Sequence, residues 1–421
     1  MYLRMYLCYY LSMPDIKRIL IIGGGFGGIR CALDLAKKNI PNTKITLVSD
    51  KSHFEYTPSL YKVVTGRSPL EVCVQLSDIF EKTKVDFLTD EIIKIDPTQK
   101  EVFGKSGSHY KYDFLVLALG SETVYFDLPG IEEYSFGFKS INTALKLKKH
   151  IHQMFEVHHD SVNKEEIVSG LHMLIVGGGA SGTELAGELA LYAKGLAMKH
   201  NLDYSLVTID IIESAPRLVA SLPDKVSKKI LARLHKLGVN VFLNRALEKE
   251  ELQNVYMKDM TMKTKTVVWT AGIKTNHLYK EIPGIVIAKN SRVEIDEFLE
   301  AIGFRDIFII GDAANTPYSG LAQTAIYDGK YVANLLYAKL SNKKTSFYRP
   351  KKVGYVLPIG HGWATAVIGP IIFSGRVAWW LRNIIDLHFF LSILPFKKSL
   401  HSFQDGKKSC DSCGTCAEYQ E

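Results

Sequence analysis

The chain carries the same glycine punctuation twice. RILIIGGGFGGIRCALDL occupies residues 18–35 and HMLIVGGGASGTELAGEL occupies residues 172–189. In the first copy the apolar run Ile19–Ile22 reads as a buried parallel strand. Gly23, Gly25 and Gly28 follow at G-x-G-x-x-G spacing, with Phe26 and Gly27 inside the turn, and a helical pattern (Ile29, Ala32, Leu33, Leu35, Ala36) opens behind them. The first glycine permits a tight turn. The second lets a pyrophosphate approach the backbone, and the third lets helix and strand touch. The start of the helix then offers free N–H groups and a partial positive charge to an anion. The next predicted strand, KITLVSD, ends in Asp50, where a carboxylate can accept from a ribose hydroxyl.

The second copy repeats each part. Met173–Val176 is the strand, Gly177, Gly179 and Gly182 are the turn around Ala180, and TELAGELALYA is helical. The following strand, YSLVTIDIIE, ends in Glu213. Both patterns have strand, turn, helix and terminal acid in order, so the chain reads as having two dinucleotide sites. Two such sites in one chain point to electrons passing between two cofactors.

The rest of the sequence reads as an interleaved α/β architecture. Residues 15–120 end in the strand YDFLVLALGSET, and residues 171–272 end in KTVVWTAGIKT. Ala118 and Gly120 in one, and Ala271 and Gly272 in the other, imply close backbone approach to a ligand at a strand's carboxyl end. A basic, helix-prone connector spans 140–170, and RDIFIIGDAAN (305–315) is a third strand ending in glycine and acid. The chain is therefore expected to return to its first domain, with the second inserted in it. The expected boundaries are an N-terminal extension at 1–14, a first domain at 15–140 and 286–345, and a second at 141–285. A C-terminal region follows at 346–405, and a tail at 406–421. With 47% hydrophobic and 23% charged residues, a chain of 421 residues has room for this and a large core. Its net charge of +8 includes no basic stripe interleaved with aromatics, which argues against nucleic acid. Six cysteines in this length are not a disulfide scaffold and imply a reducing compartment.

These motifs resemble the flavoproteins with two dinucleotide-binding domains, the pyridine nucleotide-disulfide oxidoreductase-like group. There FAD lies on the first module and a nicotinamide cofactor on the second. The resemblance covers roughly residues 15–400 and implies that Gly311 and Asp312 meet the ribityl chain of FAD. It does not fix the electron acceptor. Disulfide reductases of the group use a Cys-x-x-x-x-Cys pair, and sulfide:quinone oxidoreductases use mid-chain cysteines. Here Cys31 and Cys73 stand far apart, and none follows before Cys410. Both read as small apolar packing residues.

Within the group, three features resemble type II NADH dehydrogenases, the single-chain, non-pumping NADH:quinone oxidoreductases. The first is HFEYTPSLYKVVTGR (53–67). The second is LAQTAIYDGKYVAN (321–334), where Ala322, Gln323, Ala325 and Gly329 match the family and Tyr327 and Asp328 replace glutamines. The resemblance implies that Gln323 sits beside flavin and quinone, that position 327 contacts quinone, and that Glu184 lies near the nicotinamide. The third is SGRVAWWLRNIIDLHFFLSILPFKK (374–398), aromatic and apolar but interrupted by Arg376, Arg382, Asp386 and Pro395. Without 18 consecutive apolar residues it reads as amphipathic helix in a membrane interface, basic residues toward headgroups, rather than as a span. Residues 371–408 carry six Lys/Arg against two acids, which suits an anionic surface. A buried helix at a dimer or domain interface is the alternative.

Two terminal features stand apart. MYLRMYLCYYLS precedes Met13, is a poor signal peptide, and reads as a mis-assigned start or an interfacial anchor. Cys410, Cys413 and Cys416 have a ligand-like spacing but lack a fourth ligand, so a redox-labile tail is expected rather than a metal site. The expectation is thus an FAD-dependent NADH:quinone oxidoreductase, cytoplasmic and attached peripherally to the inner face of the cell membrane, with homodimerisation left open. A soluble reductase of a small redox protein is the alternative.

Overall fold

A computed structural model describes residues 16–159, 161 and 163–399. The extension before Met13 and the cysteine cluster at 410–416 lie outside the described residues. Three helices carry expected site residues, α1 (Phe26–Lys37), α2 (Ala180–Lys199) and α3 (Ala322–Leu340), and α4 (Arg376–Ile393) lies in the expected docking or interface region.

The chain forms two compact units. Among the described residues, the first comprises 16–54, 75–122 and 274–352, and the second comprises 55–74, 123–159, 161, 163–273 and 353–399. The chain thus leaves the first unit, builds most of the second and returns. The changeovers at 122/123 and 273/274 precede the expected boundaries, and residues 55–74 join the second unit.

Each unit is built on a five-stranded parallel sheet, and four of the strands follow the same order in both; the edge strand comes last in sequence in the first and first in the second. In the first, the order is Ile307–Ile309, Phe114–Leu117, Lys17–Ile22, Thr43–Ser49, Val85–Thr89. In the second, it is Phe136–Gly137, Thr266–Trp269, His172–Val176, Thr208–Glu213, Asn240–Leu243. The strand before each glycine turn is central, which is why Ile19–Ile22 and Met173–Val176 are continuously apolar and buried. The third sequence strand, Ile307–Ile309, pairs with Phe114–Leu117 and restores the chain to its first sheet.

Glycine decides two close approaches in the first unit. A Cβ on Gly28 would lie 2.0 Å from the Gly23 carbonyl oxygen, so only hydrogen lets α1 start against its strand. A Cβ on Gly329 would lie 2.3 Å from the Gly27 carbonyl oxygen, so α3 crosses α1 backbone to backbone. Cys31 is fully buried at this crossing.

In the second unit an antiparallel sheet (Tyr355–Pro358, Ala364–Ile368, Ile371–Gly375) leads into α4. Helix α4 turns Ala378, Arg382, Asp386, Phe389, Phe390 and Ile393 inward. This corrects the expectation that Arg382 faces headgroups. Arg382 and Asp386 are 9% and 3% exposed and pair with each other inside the unit. Among the described residues, no helix is long and apolar enough to cross a membrane.

The contact at Gly28 yields a stability test. Gly28→Ala should lower folding stability by about 1–3 kcal/mol through overpacking against immovable backbone. Gly25→Ala should leave the apoprotein's stability nearly unchanged, because Gly25 has ordinary φ and nothing within 4 Å of its would-be Cβ. Urea unfolding of the two apoproteins measures the contrast.

Candidate functional site

The first unit gathers its expected residues at the carboxyl edge of its sheet. Gly23 adopts φ +113° and Gly25 precedes α1, with no side chain capping the helix and no acid in its first turn. The amides at the start of α1 therefore have no side-chain acceptor at the cap, and the space beside Gly25 is open. That cradle fits a pyrophosphate. Phe26 opens the helix and packs edge-on to Phe54 at 4.9 Å. A Cβ at Gly27 would press on Ile310 and the Ala325 carbonyl. Asp50 directly follows strand Thr43–Ser49 and is exposed.

Ala118 and Gly120 follow strand Phe114–Leu117, and Gly120 has φ +69° with open space about it. Gly311 and Asp312 form a short turn after Ile307–Ile309, and the Ser121 hydroxyl donates to Asp312 Oδ2 at 2.5 Å. Ser121 carries no sequence signal of its own, although it ends the ALGS motif. Ala322 and Gln323 begin α3, with Gln323 exposed.

The two glutamine replacements on α3 have structural partners. Asp328 is fully buried and accepts from the Gly311 N–H at 3.0 Å and from the Tyr348 hydroxyl at 2.6 Å. Burial raises its carboxyl to about 6 despite both hydrogen bonds. Tyr327 packs on Tyr348 at 5.7 Å, and the Lys351 ammonium lies 4.6 Å above the Tyr327 ring. Tyr348 and Lys351 give no sequence signal, because they are joined to α3 only by folding.

The second unit repeats the cradle. Gly177 adopts φ +108°, and Gly179 precedes α2 with open space and no side-chain cap. A Cβ at Gly182 would meet the Gly177 carbonyl at 2.0 Å, and Ala180 is exposed at the helix start. Ala271 and Gly272 follow strand Thr266–Trp269, with Gly272 at φ +116° against Phe126. Glu213 ends its strand and accepts from the backbone N–H groups of Gly178 at 2.6 Å and Ala215 at 2.7 Å. It thereby ties the strand end to the glycine turn; Oε1 also accepts from the Ser214 hydroxyl, and Oε2 retains capacity for a further hydrogen bond. Arg217, four residues on, donates to the carbonyls of Leu222 and Ala220 and to the Ser227 hydroxyl, which holds its guanidinium in its own loop.

Glu184 is 7% exposed. It faces Arg382 of α4, whose nearest nitrogen is 3.6 Å away. That cation is already engaged: Arg382 donates to Asp386 at 2.8 Å and to the carbonyls of Val356 and Pro58. Asp386 also accepts from the Tyr56 hydroxyl at 2.7 Å, and Lys62 lies 3.6 Å from it. With the guanidinium charge compensated by Asp386, burial dominates at Glu184 and pushes its carboxyl up to about 8. Arg382 and Asp386 do carry a sequence signal: opposite charges four residues apart inside an apolar segment.

Residues 17–329 match the pyridine nucleotide-disulphide oxidoreductase family. The type II NADH:quinone oxidoreductase Ndh of Mycobacterium tuberculosis is 30% identical over 404 residues, covering 90% of this chain and 85% of that protein. The type II NADH:quinone oxidoreductase of Staphylococcus haemolyticus is 28% identical over 404 residues, covering 91% and 98%. The structure of NDH2 from Plasmodium falciparum in complex with NADH shares the fold, with a TM-score of 0.83 at 20% identity over 93% of this chain and 97% of that one. This chain belongs to the pyridine nucleotide-disulphide oxidoreductases and, within them, to the type II NADH:quinone oxidoreductases.

Proposed function

We infer that the protein is an FAD-dependent NADH:quinone oxidoreductase that pumps no protons. The observation that carries this is the pair of uncapped, glycine-opened helix starts, one in each unit, in a chain of this family. FAD, when bound, accepts hydride from NADH and passes both electrons to the quinone.

The side chains position rather than react. The α1 amides and Gly25 hold the FAD pyrophosphate, Asp50 holds the adenosine ribose, and Asp312 holds the ribityl chain. Ser121 fixes the rotamer of Asp312 through its hydrogen bond. Asp328 holds the Gly311 amide and so sets the turn that presents Asp312. On the second unit the α2 amides hold the NADH pyrophosphate, and Glu213 accepts from the ribose 2′-hydroxyl. Arg217 is held by its own loop and does not serve a 2′-phosphate. Glu184 supplies a buried carboxyl near the nicotinamide, and Gln323 and Tyr327 flank the quinone headgroup.

The same reading places the protein on the cytoplasmic face of a membrane through α4. Its outward face is apolar: Val377, Trp380 and Ile384 are 72%, 64% and 59% exposed, and Phe396 beyond the helix is 66% exposed. An apolar face of this kind, flanked by the exposed Arg376 and His388, suits the headgroup–acyl boundary.

Three outcomes test these assignments. NADH should be preferred over NADPH, and Glu213→Gln should cost about 1–3 kcal/mol of NADH binding, which narrows the preference. Steady-state kcat/KM for both cofactors checks it, and equal values in the unmutated protein would overturn the role of Glu213. Asp312→Ala should lower flavin occupancy, read from the visible spectrum per mole of protein. A full complement of flavin would remove Asp312 from the site. Replacing Val377, Trp380 and Ile384 together by aspartate should abolish flotation with liposomes and reduction of long-tailed quinone. Each buried side chain of this size contributes about 1.5–3 kcal/mol of transfer. Reduction of ferricyanide by NADH should persist, and continued flotation would assign α4 to a protein interface instead.

A further inference from the structure

The glycine turn of the second unit is flanked on two sides. Glu213 closes one side by accepting from the Gly178 N–H at 2.6 Å. On the other, a Cβ at Gly177 would lie 3.0 Å from the Ala271 Cα, so the turn touches the chain just beyond strand Thr266–Trp269. Gly272 follows, and a Cβ there would meet the Phe126 ring at 2.7 Å. A run of contacts thus leads from the glycine turn through Ala271 and Gly272 to one aromatic side chain. That side chain is 58% exposed.

Phe126 stands in a turn that does not suit it. The Leu128 N–H donates to the Tyr125 carbonyl at 3.1 Å, and the two central residues, Phe126 and Asp127, have φ +53° and +54°. Positive φ at both central positions is the type I′ pattern, which glycine, asparagine and aspartate fill. Asp127 fits. Phe126 does not, because its Cβ crowds the backbone in the left-handed region and its side chain has no polar group to compensate. The turn is nevertheless fixed on both flanks. The Trp269 indole N–H donates to the Val124 carbonyl at 2.9 Å, and Tyr125 and Leu128 pack in the core that contains Trp269. Trp269 also meets the Phe126 ring edge-on at 6.3 Å. The unit therefore holds unfavourable backbone in place, and the result is an exposed aromatic ring rather than a buried one. Core packing does not account for that, whereas contact with a ligand does.

The direction of the ligand follows from its anchors. A dinucleotide with its pyrophosphate at Gly177–Gly179 and its adenosine ribose at Glu213 must lead its other half away from Glu213. That half passes Ala271 and Gly272 at the carboxyl end of their strand. We propose that Phe126 is the platform on which the nicotinamide ring of NADH packs as it docks on the second unit. The proposal rests on the NADH reading of that unit given above. The contact is apolar and aromatic, and no bond forms or breaks in it. It holds only the nicotinamide end, while the glycine turn and Glu213 hold the rest.

Isothermal titration of the full-length, flavin-loaded protein with NAD⁺ and with ADP-ribose tests this. ADP-ribose keeps the adenosine, the pyrophosphate and the second ribose, and lacks only the nicotinamide. Phe126→Ala should raise the Kd for NAD⁺ about three- to tenfold, as loss of one aromatic pair does, and that for ADP-ribose less than about twofold. Phe126→Trp should keep NAD⁺ affinity within about twofold of the unmutated protein. Phe126→Gly removes the strain together with the ring. It should lose NAD⁺ affinity as Phe126→Ala does, yet keep the melting temperature of the flavin-loaded protein within about 3 °C. Equal weakening for both ligands, or none for either, would overturn the platform. So would a larger fall in melting temperature for Phe126→Gly, which would make the ring a packing element of the fold. An unmutated protein that binds neither ligand would instead overturn the NADH reading on which the platform rests.

Discussion

The organisation of this molecule depends on a contact that only glycine permits. With Gly28 against the Gly23 carbonyl and Gly182 against the Gly177 carbonyl, each helix must start hard against the end of its central strand. That closeness leaves the first amides of α1 and α2 aimed into open space beside Gly25 and Gly179. A side-chain cap would satisfy those amides and stabilise each helix by about 0.5–2 kcal/mol. Neither helix has one. The fold forgoes local helix stability at two equivalent places, and an anionic ligand is what recovers it.

This is also why so much of the fold is legible in the sequence. Glycine spacing, the apolar runs before it and the acids at the ends of the following strands are local features. They locate the central strand, its helix and the neighbouring strand in each sheet. The return of Ile307–Ile309 to the first sheet is legible because its Gly-Asp ending repeats the same logic. What stays hidden is non-local. Nothing near Tyr56 announces that its hydroxyl meets Asp386, 330 residues later. Nor does the replacement of glutamine by Asp328 announce Tyr348 as partner. Arg382 is visible as an interruption in an apolar segment, but its inward direction is not. Amphipathic periodicity says which residues share a face, not which face looks inward.

Helix α4 shows why that distinction matters. Its inward face carries an ion pair whose guanidinium is shared among Asp386 and the carbonyls of Val356 and Pro58. Its outward face carries Val377, Trp380 and Ile384. For a helix in water this is reversed, since apolar groups are exposed while charges are withdrawn from solvent. The charges are satisfied within the unit, so the inward face is complete. A buried ion pair is a weak contributor to net stability, because desolvation offsets much of its attraction. Removing one member, however, strands the other and costs about 3–5 kcal/mol. The pair therefore locks α4 in one rotation about its axis more than it strengthens the fold.

That rotation has consequences on both faces at once. Inward, it sets Arg382 close to Glu184 while Asp386 compensates the guanidinium charge, so the carboxyl stays protonated near neutral pH. The Arg382 guanidinium at 3.6 Å does pull Glu184 downward, as an adjacent cation does to a carboxylate, but burial outweighs it and Asp386 opposes it. Outward, the same rotation presents tryptophan and branched aliphatic side chains together, leaving an apolar face that no neighbouring element of the unit satisfies. A lipid surface would satisfy it without asking for shape complementarity, which a protein partner would require. One helix rotation, fixed by one buried pair, thus sets both the environment of the Glu184 carboxyl and which apolar side chains α4 leaves exposed.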